Sequence, residues 1–250
     1  MADNFTRLNA QGTIARPADQ ATFDVGLRKH MLTVYNYLAS GLALSGIVAF
    51  LVFSTPSIAQ LFYQFNPQGR LVGMTGLGWV VTFAPLAMLF ASGMVMRGSR
   101  TAAQAFYWVF VTLMGISLTT ILYRYTGVSV ARVFFITAAA FAGLSLYGYS
   151  TKRSLSAMGS FLIMGLIGLV IAMIVNIFLQ SPMMHFVISG LGVLIFSGLI
   201  AYDTQNLKEQ YSANWDNGTA DKVAIFGALG LYLNFINLFQ FLLAFFGNRE

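Results

Sequence analysis

The stretch MLTVYNYLASGLALSGIVAFLVF, residues 31–53, carries no charged side chain from end to end. A helix rises about 1.5 Å per residue, so this segment is long enough to cross the roughly 30 Å hydrocarbon core of a bilayer. Working outward, six more segments read the same way: 73–96, 104–123, 130–150, 158–179, 183–209 and 223–246. None alternates polar and apolar residues, and only helices or closed barrels satisfy their backbone groups in lipid, so the spans are helices. The fold class expected is all-α, a polytopic seven-transmembrane-helix bundle. Composition agrees, with 57% hydrophobic and 9% charged residues and a mean hydropathy of +0.72.

Residues 1–27 contain Pro17 and scattered Asn and Gln without an apolar core, and read as a cytosolic N-terminal tail rather than a secretory signal. Residues 28–250 form the transmembrane domain. The longest connections, 55–72 and 210–222, leave room for loops and nothing larger. Cysteine is absent, and two histidines do not by themselves make a metal centre. No cofactor and no metal site are expected.

The net charge of +6 is spread among loops and forms no basic stripe, which excludes nucleic acid as a partner. The cations report topology instead. With the N-terminus inside, Arg7, Arg16, Arg28, Lys29, Arg97, Arg100, Lys152, Arg153, Lys208 and Lys222 are cytosolic, and only Arg70, Arg124, Arg132 and Arg249 lie outside. That bias satisfies the positive-inside rule and places the C-terminus outside.

Among the acids, Asp203 in SGLIAYDTQNLKEQY (197–211) stands apart, because the others lie in tails or polar loops. An ionisable residue in a membrane helix normally faces the bundle interior or a water-filled cavity, which makes it a functional candidate. Burial would disfavour its charged form, whereas a guanidinium beside it would favour it, and Arg97 falls on the same side of the membrane. The competing reading has the sixth helix leave the bilayer near Tyr202, which makes Asp203 an ordinary interfacial residue beside Thr204 and Gln205. On the seventh helix, Asn234 and Asn237 share a face with Gly230, and both read either as site residues or as interhelical glue. The remaining glycines read as close-packing positions, and Pro85 should kink the second span. His30 and His185 read as interfacial.

The motifs SLYGYSTKRSLSAMGSFLIMGLIGL (145–169), GLIAYDTQNLKEQY (198–211) and above all ALGLYLNFINLFQFLLAFFGN (228–248) resemble the bacterial branch of the Bax inhibitor family, the transmembrane Bax inhibitor motif proteins. The resemblance runs from about residue 28 to the end. It implies a multi-pass protein of the bacterial inner membrane with a pH-sensitive calcium leak and a part in stress protection. It also implies a latch in which an aspartate on the sixth helix shares protons with one on the seventh, while an arginine ending the second helix pairs with the first. By motif, the first aspartate is Asp203 in AYDTQ and the arginine is Arg97 in GMVMRGSR. The second acid would fall in LYLNFINLF, where this chain has Asn234. An amide bound to a carboxylate lacks the mutual repulsion of two acids, so the latch should respond less to acid. A hard divalent cation wants several oxygen ligands, and one intramembrane carboxylate is a weak offer.

Three functions therefore compete. The first is an ion-homeostasis protein passing calcium ions or protons, with Asp203, Arg97 and Asn234 at its gate and Asn237 lining a pore or packing helices. The second is a non-conducting regulator that binds another membrane protein, such as a quality-control protease. An intramembrane enzyme is disfavoured, because neither a carboxylate pair, nor a nucleophile motif, nor a paired-histidine helix is present.

Overall fold

The computed structural model describes the backbone of residues 17–248 and the side chains of residues 23–248. Among the described residues, eight helices and one hairpin follow in order: α1 (Pro17–Ser54), α2 (Pro56–Phe62), β1 (Tyr63–Phe65), β2 (Leu71–Met74), α3 (Gly76–Met96), α4 (Arg100–Leu122), α5 (Gly127–Ser150), α6 (Ser156–Leu179), α7 (Pro182–Gln210) and α8 (Asn217–Phe246). Seven of them are long and apolar enough to span a membrane. The protein is a polytopic helical membrane protein.

The helix starts follow from local chemistry. Thr75, Ser99, Thr126, Ser181 and Asp216 each precede a helix, and each side chain accepts a hydrogen bond from a backbone N–H of the first turn. At Asp216 these bonds, from the Thr219 side chain foremost, hold the exposed carboxyl below its usual range. Pro182 opens α7 at a position where its missing N–H is not needed.

Two expectations need correction. Helix α1 begins at Pro17, well before the start expected for the first span at residue 31, so residues 17–27 are helical; residues 1–16 lie outside the described residues. Where α1 enters the bundle, Leu27, Met31 and Val34 are buried while Arg28 and Lys29 are exposed. The 55–72 connection is also more than a loop. Helix α2 and an antiparallel β1–β2 pair fill it, with Tyr63 opposite Met74 and the turn at Gly69 in the left-handed region (φ 76°). Val52, Ala59 and Tyr63 make a small core beneath it, and burial pushes the Tyr63 phenol up to about 12.

Helix α8 is the axis of the bundle. It packs on α1, α4, α5 and α7, whereas α3 lies outside, against α4, α2 and β2, and α6 lies against α7. In its most apolar window 56% of α8 is buried, against 11% for α3 and α6, so those two present most of their surface to lipid. Polar ties run between the central helices: the Ser45 and Tyr232 hydroxyls are 2.7 Å apart, and Ser45 also donates to the Val111 carbonyl at 2.7 Å, joining α1, α8 and α4. Pro85 stays inside α3. Its missing donor frees the Val81 carbonyl, and the Ser117 hydroxyl of α4 lies 3.5 Å from that oxygen.

Glycines serve close approach where another helix crosses. A Cβ at Gly148 would run into the backbone carbonyl of Ala201, and one at Gly192 would lie 2.6 Å from the Phe241 ring, while Gly46 and Gly168 face open space. Gly148→Ala should therefore force α5 from α7 and destabilise the fold by about 1–3 kcal/mol. Thermal unfolding in detergent should show that drop, with Gly168→Ala matching the wild type.

Candidate functional site

The site forms where α7 crosses the central helix. Asp203 lies about two turns before the end of α7 and is half-buried, and Asn234 on α8 is only 7% exposed. The Asn234 Nδ2 donates to Asp203 Oδ2 at 2.6 Å. Helix α7 continues through Asp203 to Gln210.

The polar run after Asp203 is used side chain by side chain. Thr204 shares a hydrogen bond with Ser145 of α5 (3.0 Å), which in turn bonds Tyr35 of α1 (2.7 Å). Gln205 accepts from the Leu155 backbone N–H at 2.7 Å and donates to the Arg153 carbonyl at 2.8 Å, clamping the α5–α6 connection. Lys208 donates to the Tyr149 carbonyl at 2.8 Å. The stretch is polar because its residues replace water for the ends of α5 and α6.

Arg97 does not join Asp203. It caps α3 as an exposed residue, and α3 packs on α4 rather than α7, so sharing one side of the membrane does not make the two neighbours. The ion pair at this end joins Arg100 to Asp221 at 2.9 Å, and Lys222 donates to the Gly98 carbonyl at 3.1 Å. These contacts tie the α3–α4 connection to the first turns of α8. The signal for them was the acid–base pair at 221–222, which reads in sequence as ordinary loop polarity.

Asn237 also stands apart from the Asp203–Asn234 bond. Its Nδ2 donates to the Leu233 carbonyl of its own helix at 2.8 Å. With Asn176, His185, Ser189 and Gln240 it lines a 340 Å³ cavity between α6, α7 and α8, towards the end where α7 begins. No group of three or more His, Asp or Glu side chains suited to a metal converges among the described residues. The chemistry available at 203 and 234 is a hydrogen-bonded carboxylate–amide contact that joins two packed helices.

A seven-span helical bundle whose axial helix is bonded to its neighbour through a buried amide and one carboxylate defines the class. Residues 27–250 match the family described as inhibitor of apoptosis-promoting Bax1, and the chain belongs to this Bax inhibitor family. It is 54% identical to an uncharacterized protein of Caulobacter vibrioides over 94% of this chain and 95% of that one. It is 44% identical to a Rickettsia prowazekii protein (95% and 97%) and 39% identical to the inner membrane protein YbhL of Escherichia coli (90% and 94%).

Replacing Asn234 by Leu leaves the Asp203 oxygen without its donor, so the variant should lose about 1–3 kcal/mol of stability. Asp203→Asn keeps an acceptor at the same place and should lose less. Thermal unfolding of both in detergent, compared with the wild type, reads the difference.

Proposed function

We propose that the protein is a non-enzymatic ion-homeostasis protein of the bacterial inner membrane, in which the α7–α8 contact gates a leak of calcium ions or protons and so serves stress protection. The observation that carries this reading is the 2.6 Å bond from Asn234 to Asp203, made between the axial helix and its neighbour. A contact between two packed helices is a two-state element, and a proton or cation on its carboxylate biases it. The name of the Escherichia coli relative supports the inner membrane. The charge bias supports an N-terminus in the cytoplasm and a C-terminus outside.

The gate in this reading consists of Asp203 and Asn234. Arg97, exposed on α3, acts on it only through charge at the membrane surface, with no direct bond. Asn237 belongs to the polar cavity farther along α8. Because an amide stands at 234, the contact has one titratable partner, and the leak should respond to acid less than one latched by two carboxylates.

Purified protein in liposomes loaded with a calcium indicator tests this. Asp203→Ala removes the acceptor and should raise the leak several-fold. Asn234→Asp sets two carboxylates in contact, which cannot both ionise easily, so its leak should rise with pH as repulsion parts the helices. Absence of flux from the wild type and both variants would contradict the leak and favour a non-conducting regulator of another membrane protein.

A further inference from the structure

At the end of the bundle that carries the α7–α8 connection, a second site is unaccounted for. His30 of α1 is 6% exposed, and its Nε2 is the one buried side-chain nitrogen or oxygen among the described residues without a hydrogen-bond partner. Buried polar groups are almost always paired, so an orphan calls for an explanation. The imidazole packs against two aromatic rings, neither of which gives Nε2 a hydrogen bond: Tyr211 lies 5.5 Å away and Trp215 5.8 Å away between centroids, and these two lie 5.9 Å from each other. His30 is also part of the wall of a 490 Å³ cavity, with Lys29, Arg100, Tyr211, Trp215 and Asp221.

The charge of that wall is unbalanced. Its carboxylate, Asp221, is paired with Arg100 through Nε at 2.9 Å, which leaves the ammonium of Lys29 without an ion-pair partner among the described residues. Helix α4 begins at Arg100, so the positive end of its dipole lies beside the cavity, whereas the start of α8 is capped by the Asp216 carboxylate. Donors and positive charge in excess, beside an aromatic wall, fit an oxyanion attached to a small organic body.

We propose that this cavity binds a phosphate group, seated on Lys29 and the Nη nitrogens of Arg100, with the rest of the ligand against Tyr211 and Trp215. A turn of the His30 ring about its Cβ–Cγ bond is part of the proposal; it presents a ring nitrogen to the ligand, which supplies the missing partner. The phosphate belongs either to a soluble phosphate ester or to the headgroup of an anionic lipid. Tyr211 and Trp215 belong to the connection from α7 to α8, so an occupied site braces the two helices that Asp203 and Asn234 join. The site does not depend on the leak.

Trp79 and Trp108 are 52% and 36% exposed, so both can be changed to Phe, leaving Trp215 as the sole tryptophan reporter. This protein is titrated in detergent at constant ionic strength with inorganic phosphate and then glycerol phosphate. In parallel it is reconstituted in phosphatidylcholine nanodiscs with and without phosphatidylglycerol. A saturable change in Trp215 fluorescence is expected, with a shift of the His30 imidazole nitrogen resonances at saturation. The exposed substitution Lys29→Gln should weaken half-saturation by about tenfold, as loss of one charge-assisted bond would. Response to the soluble anions identifies a free ligand, and response to anionic nanodiscs alone identifies a lipid headgroup. A change no greater than chloride produces in every arm, or one that Lys29→Gln leaves unaltered, overturns the site.

Discussion

A polar side chain inside a lipid-embedded bundle has no water to fall back on, so it must find its partner on another helix or on its own backbone. The arrangement around α8 depends on that constraint. Ser45 and Tyr232 bind one another between α1 and α8, Tyr35, Ser145 and Thr204 link α1 through α5 to α7, and Asn234 reaches Asp203 across the α7–α8 contact. Packing alone would leave the helices free to slide, since lipid tails are as apolar as leucine. Directional bonds at fixed heights set the register, and glycines such as Gly148 let the backbones come close enough to make them.

The same constraint explains why Asp203 is tolerated. A lone carboxylate among apolar helices is costly unless a donor meets it, and the Asn234 amide is that donor without adding a second charge. The contact therefore has one group that can take up a proton, where two acids would have to share one. Around it, Gln205 and Lys208 bond the carbonyls of Arg153 and Tyr149, so the end of α7 is anchored to the α5–α6 connection. Helix α7 packs against α5, α6 and α8.

Much of this was legible in the sequence because the bilayer imposes a length and a composition on each span. The boundaries expected for the second to sixth spans fall within a few residues of α3 to α7, helped by caps such as Thr126 and Ser181. Asp203 and Asn234 were each legible as polar residues in apolar helices, and their pairing was what the resemblance of AYDTQ and LYLNFINLF to the family motifs implied. The failures are of another kind. Charge bias tells which residues share a side of the membrane and nothing about which helices are neighbours, so Arg97 was paired with Asp203 although α3 lies outside α4. The early start of α1 escaped because the residues before the apolar run, with Pro17, Asp19 and Asp24, have the composition of a tail, and the β1–β2 pair because three- and four-residue strands carry almost no periodicity; its one signal was the turn composition at Asn66, Pro67 and Gly69. His30 read as interfacial because burial by the Tyr211–Trp215 connection is a tertiary fact.

The most direct measurement of the central claim is a dipolar-recoupling solid-state NMR experiment on protein in lipid bilayers, labelled with 13C at aspartate Cγ and 15N at asparagine Nδ2. The account predicts a strong through-space correlation between Asp203 and Asn234, as a 2.6 Å donor–acceptor contact requires, and its disappearance in Asp203→Ala. A spectrum lacking that correlation while the seven-span fold is intact would contradict it.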